Sequence, residues 1–169
     1  MNMRSFNIKL IVKLIIFNLL IMNIYCTKEI HMQYQVNSAN IYETKAQKFK
    51  AKNEAEYISI LFTNLYQKAI DPMVLFQAQS VLYSIGDQNV AKEMLLSGYF
   101  NNPNIIIPSN SEMRKDIPKF ITETYKRFYL RYPTEAEKVY FTNYIQNNQE
   151  VTVEMIYTAF STSDEYSFY

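Results

Sequence analysis

Apolar residues recur at helical spacing from about residue 53 to the end of the chain. Asn53 and Glu56 stand three positions apart at the start of this pattern, which is the spacing of a capping box. The first apolar stripe then consists of Tyr57, Ile58, Leu61, Phe62, Leu65 and Tyr66. This pattern predicts an amphipathic helix that begins just after Asn53.

Two further helices are predicted in the same half. Asp71 followed by Pro72 is typical of an N-cap and a proline at the first helical position. The stripe of this second helix is Leu75, Ala78, Leu82 and Ile85, and Gly86 ends it. Asp87 is placed to cap a third helix, which contains Val90, Met94 and Leu95 and stops near Gly98. Residues 101–104 form the loop that follows.

The second half of the chain has the same plan. Asp116 and Pro118 open a helix, and Thr134 with Glu137 repeats the capping-box spacing before another. The apolar positions of the three predicted helices are Phe120, Ile121, Tyr125, Phe128 and Tyr129, then Val139, Phe141, Tyr144 and Ile145, then Val151, Met155, Ile156 and Phe160. The sequence therefore predicts three helices in each half.

The two halves also match residue by residue. Phe62, Leu65, Tyr66 and Lys68 match Tyr125, Phe128, Tyr129 and Arg131 at an offset of 63 residues. Beyond the turn, Pro72, Tyr83, Val90, Glu93 and Met94 match Pro133, Tyr144, Val151, Glu154 and Met155 at an offset of 61. We predict an all-α protein in which two similar three-helix units, about 53–103 and 110–169, pack as one small domain over residues 44–169. Chance similarity between amphipathic helices is the alternative.

The second unit resembles a bacterial helical domain of unknown function that occurs in secreted and cell-surface proteins. That domain is itself similar to the linker domains of phycobilisomes. The matching residues are Phe120, Ile121, Tyr125, Phe128, Arg131, Pro133, Thr134, Glu135, Phe160, Ser161, Ser163, Glu165 and Tyr166. The resemblance implies a scaffold or adhesion role and no catalytic chemistry.

The N-terminus is typical of a secretory signal. Arg4, Lys9 and Lys13 supply positive charge ahead of an apolar stretch over residues 14–25. This stretch is shorter than the roughly 20 apolar residues that a transmembrane helix needs. We predict a signal segment over residues 1–25, with an uncleaved membrane anchor as the alternative.

Cys26 is the only cysteine, and it stands where the apolar stretch ends. Its position resembles that of the acylated cysteine of bacterial lipoproteins, although Tyr25 replaces the usual small residue before it. We predict lipidation at Cys26, export, and anchoring to the envelope, most simply to the outer membrane. A cysteine removed with the signal, or left as a free thiol, is the alternative.

Residues 26–43 show no sustained periodicity, which predicts a flexible tether. Lys45, Lys48, Lys50 and Lys52 follow it, around Phe49. On a helix, Lys45, Lys48 and Lys52 would share one face. We expect a solvated helix face there, and contact with anionic headgroups or an acidic partner is the alternative.

Composition limits the chemistry. A formal net charge of +1 gives no indication of a nucleic-acid surface. The single histidine, His31, has no second histidine or suitably placed cysteine beside it for metal binding or acyl transfer. The chain has only two glycines, which are too few for a phosphate-binding loop. Four acidic residues, Asp116, Glu123, Glu135 and Glu137, stand where helix capping and helix-dipole roles are expected. We therefore predict no enzyme, no metal and no cofactor.

Aromatic and arginine side chains are the remaining functional candidates, since Tyr and Arg dominate binding hot spots. They are Tyr125, Arg127, Tyr129, Arg131, Tyr132, Tyr140 and Tyr144. These residues form either a docking surface or part of the core. We predict a non-catalytic envelope lipoprotein that serves as a scaffold or accessory subunit, with protein partners in a membrane-associated complex. A soluble exported module that binds carbohydrate or peptide is the alternative.

Overall fold

The computed structural model describes residues 48–169. The predicted signal segment, the tether, Cys26, His31 and Lys45 lie outside the described residues, so those predictions stay predictions. None of the helices over residues 48–169 is both long enough and apolar enough to cross a membrane.

The regular secondary structure of residues 48–169 is helical, which confirms the predicted all-α class. The α-helices are α1 (Glu54–Tyr66), α2 (Pro72–Ser84), α3 (Gln88–Phe100), α4 (Asn110–Lys115), α5 (Ile117–Tyr129), α6 (Glu135–Asn147) and α7 (Val153–Ser161), and a 3-10 turn covers Glu165–Ser167. Within this range there is no β-strand, and a β-bridge pairs Ala51 with Phe168 in antiparallel orientation.

The predicted helix starts are confirmed. Capping boxes form at Asn53 and Glu56 and at Thr134 and Glu137, each with both reciprocal hydrogen bonds. The Asp71, Asp87 and Asp116 side chains accept hydrogen bonds from the first turns of α2, α3 and α5. A short helix between the halves, α4, was not predicted, although Ser109 and Glu112 form a third capping box there.

Helix positions support an internal repeat with a corrected register. α1 and α5 begin and end 63 residues apart, and so do α2 and α6. The predicted offset of 61 is wrong, because Pro72 is the first residue of α2 whereas Pro133 precedes the N-cap residue of α6. The N-caps of α3 and α7, Asp87 and Thr152, are 65 residues apart.

Burial follows the corrected register. The six buried positions of α1 each fall on a buried position of α5 after a shift of 63. The residue after each of these helices, Gln67 or Leu130, has a positive φ, of 52° or 55°. Helix bounds, burial and packing are thus consistent with two three-helix units.

Buried residues from both halves form one core. α1 packs on α2, α2 on α3 and α5 on α6, while α7 contacts both α3 and α5 and so joins the halves. Five residues expected on apolar inner stripes are exposed instead: Val90, Met94, Val139, Tyr144 and Met155. The predicted stop near Gly98 is also wrong, because α3 continues to Phe100 and Gly98 has no positive φ.

Residues 48–52, which we call the N-terminal strap, are not a helix. The Lys52 amide donates to the Ser167 carbonyl at 2.9 Å, and the Tyr169 amide donates to the Lys50 carbonyl at 2.8 Å. The strap is therefore extended against the C-terminal residues. The expected helical face of lysines is wrong for this part, because backbone pairing with the C-terminus competes with helix formation.

Candidate functional site

The seven predicted surface residues lie in three different environments. Tyr125, Tyr129 and Arg131 are buried. Arg127 is half-buried, and only Tyr132, Tyr140 and Tyr144 are exposed. A single docking surface made of all seven residues is therefore wrong, since three of them belong to the interior.

The buried tyrosines are core residues. Tyr125 meets Phe160 edge-to-face at 4.9 Å between ring centroids, and Tyr129 stacks on Phe160 at 4.8 Å. The Tyr129 hydroxyl also shares a 2.8 Å hydrogen bond with the Ser163 hydroxyl. These contacts hold α5 against α7 and the C-terminal turn.

Arg131 lies at the α5–α6 turn and is 7% exposed. Its Nε and Nη2 donate to the two Glu165 carboxylate oxygens, each at 2.7 Å. Its Nη1 and Nη2 donate to the Glu137 carboxylate at 2.9 and 2.8 Å, and Nη1 also reaches the Tyr132 carbonyl at 3.1 Å. All five N–H donors of the guanidinium are thereby used, which is the condition under which a buried arginine is tolerated.

The charges around Arg131 compensate one another. The Lys48 ammonium lies 3.5 Å from Glu165, so two cations face two carboxylates. Burial acts to raise the pKa of Glu137, but hydrogen bonds from Arg131 and Thr134 outweigh it and bring the pKa to about 2. Hydrogen bonds that Arg131 donates to Glu165 and Glu137 raise the pKa of Arg131. We call Arg131, Glu137, Glu165 and Lys48 the Arg131 network. Because all the donors of Arg131 are bonded within the fold, this network is a structural element.

The N-terminal strap packs at the end of the domain that holds the Arg131 network. The Lys52 ammonium donates to the Tyr166 carbonyl and lies 3.9 Å from the centre of the Tyr166 ring. Burial, together with the nearby charge of Lys48, lowers the pKa of Lys52 to about 8. The ring face and carbonyl of Tyr166 act in the opposite direction, since both favour the ammonium form. Lys48 and Lys52 are thus packed residues and are not available as a basic surface.

Two other arginines bind backbone carbonyls. Arg127 donates to the carbonyls of Asn64 and Ile106 at 3.4 and 3.3 Å and thereby bridges the two halves. Arg114 donates to four carbonyls between residues 145 and 151, at 2.8 to 3.1 Å, and so closes the C-terminal end of α6. Both guanidinium groups are therefore engaged by the fold.

Exposed tyrosines remain on α6. The rings of Tyr140 and Tyr144 are parallel within 6°, with centroids 6.4 Å apart. They stand one helical turn apart beside the exposed Val139. This small aromatic surface and the exposed Tyr132, which precedes α6, are what the structure leaves of the predicted site.

A second exposed apolar surface lies on α2, and the sequence interpretation missed it. Met73, Phe76 and Tyr83 are 63%, 67% and 67% exposed. With Ser80, which is also exposed, they have the i, i+3, i+7, i+10 spacing of one helix face. The buried residues Leu75, Ala78 and Leu82 occupy the opposite face. We call Met73, Phe76, Ser80 and Tyr83 the outer face of α2.

The outer face of α2 differs from ordinary helix surfaces in charge. No residue of α2 is charged, whereas the corresponding helix α6 carries Glu135, Glu137 and Lys138. A surface helix normally turns charged or polar residues to water, and an exposed apolar patch marks an interaction site. The sequence signal was present, since α2 is apolar on two faces.

The acidic residues singled out in the sequence occupy helix-capping or exposed positions. Within residues 48–169, no group of three or more His, Cys, Asp or Glu side chains is arranged to hold a metal ion. Asp116 and Glu137 cap helices, and Glu123 pairs with Lys126 at 3.0 Å.

Comparison of the chain with protein families, with curated proteins and with solved structures found no match.

Proposed function

We propose that this chain is a non-catalytic lipoprotein of the bacterial envelope whose helical domain serves as a scaffold or accessory subunit of a membrane-associated complex. The outer face of α2 is the observation that carries the proposal, because an apolar helix face without charge is costly to leave in water. In this account Cys26 supplies the lipid anchor, and residues 26–43 separate the anchor from the domain.

The electrostatics of the domain support binding over catalysis. Arg114, Arg127 and Arg131 have their donors directed to carbonyls or carboxylates of the fold itself. A catalytic site requires convergent groups that remain free to act on a substrate. The exposed side chains of α2 and α6 include the apolar or aromatic Met73, Phe76, Tyr83, Tyr140 and Tyr144. Such residue types bind partner proteins.

Affinity capture from cells tests the scaffold role. The full chain is tagged, expressed in a lipoprotein-processing bacterium and captured from membranes as wild type, as Phe76→Glu and as Tyr140→Glu. We expect a defined set of co-purifying proteins for wild type and Tyr140→Glu, and its loss for Phe76→Glu. Capture that is the same for all three proteins would contradict a scaffold role through α2.

Anchoring is tested separately by detergent phase partitioning. Wild type is expected in the detergent phase and Cys26→Ser in the aqueous phase. If both proteins remain aqueous, the lipid anchor is wrong, whatever the result of the capture experiment.

A second candidate function is supported by the parallel rings of Tyr140 and Tyr144. Exposed tyrosines of this kind are suited to stack on sugar rings or peptide side chains, which is the exported ligand-binding alternative. A glycan array with wild type and Tyr140→Ala separates the two. Glycan binding that disappears with Tyr140→Ala favours this second function, and the absence of any glycan signal eliminates its carbohydrate form.

A further inference from the structure

The outer face of α2 has the geometry of a helix-pairing seam. Its four residues follow the 3, 4, 3 spacing of alternating a and d positions, with Met73 and Ser80 as one class and Phe76 and Tyr83 as the other. The seam is about 15 Å long, since it extends over ten residues of α-helix. A helix of about three turns is therefore the shape that covers it.

The seam is complementary to itself. In an antiparallel pair with a two-fold axis at its centre, Phe76 of one copy lies against Ser80 of the other, so a bulky aromatic side chain meets the smallest side chain of the seam. Met73 then lies against Tyr83. A two-fold interface needs this kind of self-complementarity, because the same patch serves on both sides.

Charge favours the same occupant. A net charge on a face is repeated on its copy, so two identical charged faces repel each other when they pair. α2 contains no charged residue, and its own N-cap acid, Asp71, lies at one end of the helix. Antiparallel pairing keeps the two Asp71 residues apart and aligns the helix dipoles favourably, whereas parallel pairing does neither.

We propose that the outer face of α2 pairs in antiparallel orientation with α2 of a second copy of this chain. This inference rests on the proposed function, because it names the occupant of the same face. Burial of three side chains of about 200 Å² each, roughly two-thirds exposed, removes about 400 Å² per copy from water. The total of about 800 Å² is below the standard interface size, so the dimer is weak and forms at high local concentration.

Sedimentation equilibrium tests the association. The full chain with Cys26→Ser is measured at concentrations on the order of 10 µM to 1 mM, which cover weak association. We expect a concentration-dependent dimer, a loss of at least tenfold in affinity for Phe76→Glu, and no change for the control Tyr140→Glu. Circular dichroism verifies that Phe76→Glu is folded, as its exposed position predicts.

Cysteine cross-linking tests the orientation. With Cys26→Ser in place, Met73→Cys and Tyr83→Cys each carry a single thiol. Antiparallel pairing predicts a cross-linked dimer with a short bismaleimide when the two proteins are mixed. Either protein alone should cross-link poorly, since the like positions are about 15 Å apart along the axis. Efficient cross-linking of Met73→Cys alone would show parallel pairing and overturn the proposal.

Failure of this inference differs from failure of the proposed function. If the protein is monomeric throughout while Phe76→Glu still abolishes capture of another protein in cells, the face binds a foreign partner. In that case the self-pairing is wrong and the scaffold role stands. If neither association nor capture depends on Phe76, both are wrong.

Discussion

Arg131→Met tests whether the Arg131 network stabilises the fold. The substitution removes a 7% exposed guanidinium and all of its hydrogen bonds to Glu137 and Glu165. Removing one partner of a buried ion pair typically costs about 3–5 kcal/mol, because the other charge stays behind without compensation. The Glu137 and Glu165 side chains retain 31% and 30% exposure and can rehydrate in part. We therefore expect a loss of about 2–3 kcal/mol in the free energy of unfolding.

The pH dependence of this loss follows from Glu137. Its pKa in the folded protein is about 2, below the ordinary value of 4.5, so the folded state favours the carboxylate. Such a group stabilises the fold fully above its unfolded pKa, and the stabilisation is lost as the pH falls through the folded pKa. The difference between wild type and Arg131→Met should thus be constant above about pH 5 and shrink toward pH 2.

Urea unfolding at pH 7 and pH 3, followed by circular dichroism, measures both effects. Lys126→Met is the matched control, because Lys126 forms an ion pair with Glu123 at 3.0 Å on the surface of α5. We expect this control to lower the free energy of unfolding far less than Arg131→Met does, because water screens an exposed ion pair. An Arg131→Met effect as small as that of Lys126→Met, or one that does not change with pH, would refute the reasoning.

Four further substitutions are tested by the same unfolding measurement. Tyr99→Phe should be neutral or stabilising by up to about 1 kcal/mol, because the Tyr99 hydroxyl is buried with no hydrogen-bond partner among the described residues. Tyr66→Phe should instead cost about 1 kcal/mol, since its hydroxyl donates to the Tyr99 carbonyl at 3.1 Å; equal effects of the two changes would contradict this. Gln67→Gly should stabilise by about 0.5–1 kcal/mol, because Gln67 has a φ of 52° that glycine adopts without strain; a loss would show that its side chain contributes to the fold. Arg114→Met should cost about 2 kcal/mol through four carbonyl bonds, and a neutral result would mean that water replaces them.

Local rules predicted most of the helix positions. Asn53, Asp71 and Thr134 mark helix starts because each side chain caps amides within three residues of itself. α4 was missed because two turns leave too few apolar positions for a periodicity, although its capping box was readable. The predicted offset was wrong because Pro133 was matched with Pro72 by residue type, whereas the N-caps Asp71 and Thr134 set the true register of the two helices.

Contacts between residues far apart in the sequence could not be predicted from the spacing of apolar and capping residues. Arg131 and Glu165 are 34 residues apart, and the strap binds residues more than 110 positions away. Neither separation has a local signature, so the buried role of Arg131 and the packing of Lys52 could not be predicted from spacing. The outer face of α2 was readable in principle, because Met73, Phe76 and Tyr83 repeat at helical spacing opposite the inner stripe.

Site-specific photocross-linking in living cells tests the central claim that the domain binds another protein chain through α2. A photoreactive residue is placed at position 76, in the outer face of α2, or at Asn143, an exposed position of α6. We predict a discrete cross-linked species from position 76 and none from position 143. Equal or absent cross-linking at the two positions would contradict the account.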